Sequence, residues 1–247
     1  IQLNAMMYDQ EETIAGSACY GLTGVLGQLN KARGAEQSAQ FIAEGAWNPS
    51  IRCQSFYERY LHRLYGPDAQ QMLLKAFLLL EENEKALGWH GRRGIFSTYA
   101  RSCHMGVGLR GIDYKQKKPQ LDRAQVEQAV SDGEAGRTFW AGRAAHCRQA
   151  LELLRQAQVK VPPGSREELD YVIYKTENFV TVLEELAAAN EAKAAFDRAA
   201  LAMNAGEAAE VRKHLEQSQA ALDRANRLVR QAAEQMIPYA SIPTERH

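Results

Sequence analysis

The chain has 247 residues, 45% apolar and 24% charged, enough for one large domain or two modest ones with a real core. Its 30 Lys and Arg balance 30 Asp and Glu, so no net field gathers nucleic acid or an anionic membrane. No run approaches the ~20 apolar residues with which a helix crosses a bilayer.

Cys19, Cys53, Cys103 and Cys147 are scattered without CxxC spacing. A chain this long builds its core without a disulfide framework, so they read as reduced, half-buried core residues. They leave the compartment open.

Residues 1–50 form the first region. The chain starts inside an apolar run, Ile1-Gln2-Leu3-Asn4-Ala5-Met6-Met7, and reads as a fragment of something larger. Two strands are expected, Ile1–Tyr8 and Gly24–Leu29, separated by the acidic run Asp9-Gln10-Glu11-Glu12 and a Gly-rich stretch. A helix over Ala35–Glu44 follows. Short apolar runs separated by loops and a helix point to parallel βα units. Two strands do not make a stable sheet alone, so these need partners elsewhere.

Residues 51–120 read as a helical connector. Pro49 disfavours helix at Asn48. Gln54–Leu64 carries Phe56, Tyr57, Tyr60 and Leu64 at helical spacing. Gly66-Pro67 then caps one helix and opens the next, Ala69–Leu87. Residues 88–120 are irregular, with Arg92, Arg93, Arg101 and Arg110 among Trp89, Phe96 and Tyr99.

From Leu121 to the end, residues 121–247 read as three long amphipathic helices. The last is the most regular: Ala208, Val211, Leu215, Ser218, Leu222, Ala225, Val229, Ala232 and Met236 alternate steps of three and four, the seam of a helix bundle. In the middle helix that alternation slips after Leu186. In the first, Gly133 and Gly136 each cost about 1 kcal/mol of propensity relative to Ala. Pro162-Pro163-Gly164 and Asn204-Ala205-Gly206 separate the helices, with Ser165 and Glu168 spaced as a capping box. Short connections favour antiparallel neighbours. The fold class expected is therefore mainly α, an antiparallel bundle of long helices preceded by a small βα segment.

No motif specifies a reaction. Gly21, Gly24 and Gly27 match neither GxGxxG nor a phosphate loop. Cys103-His104 and His146-Cys147 resemble zinc half-sites, but adjacent helical residues diverge by about 100°, so no metal and no cofactor is expected. Trp47 offers a flat ring suited to stacking on a pyranose, and is otherwise a core residue.

The stretches Gly24–Gly27, Arg33, Phe41-Ile42-Ala43, Ala46-Trp47-Asn48-Pro49 and Tyr65-Gly66 resemble bacterial glycoside hydrolases in which a TIM barrel passes into a C-terminal helical domain. The likeness covers about residues 1–90. It implies that the first fifty residues are the last strands of a barrel and that the chain acts on glycans in the periplasm or outside the cell. Loops after barrel strands carry substrate-binding groups, so Asp9, Glu11, Glu12, Arg33 and Trp47 become the expected carbohydrate contacts. Glycoside hydrolysis uses two carboxylates, ~5 Å apart for retention or ~6.5–9.5 Å for inversion. The family's pair lies on an earlier strand than any in this sequence, so the catalytic residues stay unassigned. The competing expectation is a non-catalytic helical module that binds a protein partner or forms a homo-oligomer.

Overall fold

A computed structural model describes residues 7–21, 36–87 and 122–239. Among these, seven α-helices and two short 3-10 turns account for 92% of the residues, and none lies in a strand. The helices are α1 (Met7–Cys19), α2 (Glu36–Trp47), α3 (Cys53–Tyr65), α4 (Pro67–Leu87), α5 (Arg123–Gln158), α6 (Arg166–Ala205) and α7 (Ala208–Met236). The mainly helical class and the three long C-terminal helices agree with the sequence reading. No helix is long and apolar enough to cross a membrane among the described residues.

The expected βα segment finds no support in the described residues. Met7 and Tyr8, the end of the first expected strand, open α1, and the acidic run Asp9–Glu12 is the first turn and a half of that helix, not a loop. The reason is tertiary. Met7 and Ile14, two turns apart, both bury on one face of α1. The backbone N–H of Met7 meets the Glu81 carboxylate of α4 at 2.7 Å, satisfying a donor that a helix start would otherwise leave open. The second expected strand, Gly24–Leu29, the Arg-rich stretch 88–120 and Cys103-His104 lie outside the described residues.

Contacts divide the chain into two compact units. The first contains α1 to α4 with the residues of α5 and α6 from His146 to Phe179; the second contains the rest of α5 and α6 together with α7.

In the first unit, aromatic rings link three helices. Phe41 of α2 meets Phe56 of α3 edge-on at 5.2 Å, and Tyr57 meets Phe77 of α4 at 5.2 Å. Gly45 makes the α1–α2 approach feasible: a Cβ there would lie 2.4 Å from Ile14 Cδ1. Gly66, at φ 81°, ends α3 as expected, its N–H bonded to His62 O. Ser165, at the start of α6, also reaches the end of α3: its hydroxyl donates at 2.6 Å to Leu64 O.

In the second unit, α6 runs antiparallel to both neighbours. Lys193 Nζ donates to Ala129 O of α5 at 3.1 Å, and Arg198 pairs with Glu134. On the α7 side, Ser218 Oγ donates to Ala192 O at 2.9 Å, and Thr181 Oγ1 donates to Gln235 of α7. Within this unit, from Val180 to Ala202, no residue of α6 is exposed. A helix covered all round has no single apolar stripe to keep, which explains the slip in its pattern. Gly133 and Gly136, costly in propensity, sit directly against α6. A Cβ on Gly133 would stand 3.0 Å from Ala194 Cβ and 3.2 Å from Asn190 O.

Candidate interaction surface

The residues expected to hold a carbohydrate have separate engagements. Glu11 Oε2 accepts the backbone N–H of Cys53 at 2.7 Å and its Oε1 the Arg52 guanidinium at 2.9 Å, so it caps α3 from α1. Glu12 faces Lys85 Nζ at 3.4 Å on an exposed surface. Asp9 sits in α1 with its side chain outside the described part, and Arg33 is wholly outside it. Trp47 ends α2 with 92% of its surface in solvent, so it is not a core residue.

The strongest buried polar cluster surrounds Glu81. Tyr57 Oη donates to Glu81 Oε1 at 2.6 Å, and both residues are fully buried. Burial, then the carboxylate beside it, pushes the Tyr57 hydroxyl well above the usual tyrosine range. Cys53 is pushed up in the same way, by burial and then by Glu81 and Glu11, which leaves it an inert thiol. A donor–acceptor set this dry, with its carboxylate spent on a helix start, holds the fold together.

His146 and Cys147 do not converge on a metal. Cys147 is fully buried, while His146 Nε2 lies 3.5 Å from Glu82 Oε2. No group of three or more metal-ligating side chains occurs among the described residues. Cys53 and Cys147 are the buried thiols expected, but Cys19 is exposed.

The surface that departs most from an ordinary solvated face is on α7. Sequence periodicity put nine residues of that helix on one seam, read as core, but the fold splits the seam in two. Ser218, Ala225 and Ala232, seven residues apart, are buried together with Ala221. Leu215, Leu222, Val229 and Met236, also seven apart, remain 44%, 37%, 41% and 37% exposed. Small side chains let α7 approach α6 closely enough for the Ser218–Ala192 bond, and this lifts the larger ones to the edge of the contact. Scattered exposed apolar residues are normal on a monomer, but a continuous row along one helix is a docking feature. From Leu215 onward the signal was present in the sequence as a segregation of sizes, large at one seam position and small at the other.

Burial also acts on Glu185 of α6. It is 6% exposed, its Oε2 has no hydrogen-bond partner, and desolvation raises its carboxyl to about 7. Glu185 precedes Ala192 by two helical turns and so shares its face.

Comparison of the chain with protein-family models, with curated proteins and with solved structures gave no match.

Proposed function

We propose that this chain is a non-catalytic helical interaction module, and that the outer row of α7 is its docking surface. The observation that carries this reading is the row itself: four large apolar side chains at seven-residue intervals, each 37–44% exposed, on a helix whose inner contact is made by small residues. Seven-residue spacing is what a partner helix reads, because it keeps successive side chains on one seam. The first unit, with its carboxylate-capped helices and aromatic core, is structural support.

The test is whether the row is dispensable for folding. A Leu222→Gln, Val229→Gln double variant should keep its helical circular dichroism and a melting temperature close to that of the parent, while losing association. Cooperative unfolding of that variant at ambient temperature would place the row in the core and end the reading.

A second reading keeps the glycoside-hydrolase resemblance, with this chain supporting a barrel that precedes it and supplies the catalytic carboxylates. The exposed ring of Trp47, within the Ala46–Pro49 corner that carries the likeness, favours it as a sugar-stacking platform. A glycan array probed with the parent and with Trp47→Ala decides: signal lost in the variant supports it, and no signal from either sinks it.

A further inference from the structure

We propose that the partner docked on α7 is a second copy of this chain, with the two α7 helices antiparallel. The inference rests on the docking reading above and adds the identity and orientation of the occupant.

The row is symmetric about its own middle. Leu215, Leu222, Val229 and Met236 are centred between Ala225 and Asn226 and span about 32 Å at 1.5 Å per residue. A two-fold axis there sets Leu222 beside Val229 of the second copy and Leu215 beside Met236 of the second copy. The same patch thereby meets itself, as closed dimers require.

The charges beside the row choose the direction. The residue following each of the first three members is exposed and charged: Glu216, Asp223 and Arg230. In parallel pairing the two-fold axis runs along the helices and puts this flank of each copy on opposite sides of the seam, so Asp223 and Arg230 find no partner there. Antiparallel pairing brings each Asp223 to the Arg230 of the other copy, twice by symmetry. Arg224, on the inner side of the helix, is already paired with Glu191 at 2.6 Å and does not compete. On the flank four residues beyond each of Leu215, Leu222 and Val229 stand Gln219, Asn226 and Ala233, exposed and uncharged, so docking buries no charge there.

The experiment is sedimentation equilibrium on the full chain from micromolar concentration upward, with circular dichroism on every variant. The parent should be a dimer, and Leu222→Glu with Val229→Glu should be a helical monomer. Asp223→Arg alone should weaken the dimer roughly tenfold, because two opposite-charge pairs become two like-charge pairs. Adding Arg230→Asp should restore it. Because Asp223 and Arg230 are exposed, these charge variants test the pairing even where the glutamate pair disturbs folding. A monomeric parent overturns the second copy as partner but leaves the docking reading intact. A dimer indifferent to the row variants places the contact elsewhere and overturns the proposal. Loss of helicity in the glutamate pair counts against the docking reading itself. Equal affinity of the parent, single and double charge variants excludes the antiparallel arrangement.

Discussion

The Glu81 carboxylate of α4 accepts two hydrogen bonds from different directions, the Tyr57 hydroxyl at 2.6 Å and the first backbone N–H of α1, from Met7, at 2.7 Å. A group that would be costly to bury alone is thus converted into the junction of three helices, because its lone pairs meet donors that also need partners. Tyr57→Phe removes one of those donors and leaves the shape unchanged. It should destabilise the protein by about 1–3 kcal/mol, read from denaturant unfolding. An unchanged midpoint would show that Tyr57 is held by packing alone.

Two neighbouring carboxylates on α1 should respond differently. Glu11 satisfies the N–H of Cys53 at the start of α3, so Glu11→Ala should cost about 1 kcal/mol, as loss of a helix cap does. Glu12 faces Lys85 across an exposed gap, and Glu12→Ala should change stability by less than about 0.5 kcal/mol. Thermal melts of the two variants side by side test the difference. Equal effects would remove the capping role.

Two glycines of α5 should behave oppositely. Gly133 lies against Ala194 and the Asn190 carbonyl, so Gly133→Val should destabilise by about 1–3 kcal/mol through forced separation of α5 and α6. Gly142 has nothing within 4 Å of where a Cβ would stand, and Gly142→Ala should stabilise by about 0.5–1 kcal/mol. A tolerated valine at 133 would mean the helices are not held so close.

Glu185 should make stability fall as pH rises. Burial lifts its carboxyl from the usual 4.5 to about 7, so the folded protein holds this proton more tightly than the unfolded chain. The stabilisation is fully present below about 4.5 and is lost as pH rises through about 7, amounting to at most about 3 kcal/mol. Glu185→Gln should flatten the contribution and raise the melting temperature at pH 8 more than at pH 5. Equal shifts at the two pH values would contradict it.

Much of the fold was legible because it rests on local chemistry. Gly66-Pro67 and Gly206 mark chain breaks by their backbone freedom and restriction, and periodicity alone outlines α5, α6 and α7. What misled was the N-terminal region. The run Ile1–Tyr8 alternates enough to resemble a strand, and nothing nearby reveals that Glu81, seventy-four residues on, accepts the N–H that starts a helix at Met7. Glu11 and Glu12 read as loop carboxylates for the same reason. The partners that occupy them, Cys53 N–H, Arg52 and Lys85, are distant in sequence.

The seam of α7 divides the two contributions most clearly. Sequence determined that Leu215 to Met236 share one side of a helix, since a step of seven residues is nearly two turns. It could not determine which part of that side faces inward. Tertiary structure decided this, because Ser218, Ala225 and Ala232 permit a helix approach that larger side chains would block. Close packing then turned α7 so that its small residues face α6 and its large ones border solvent.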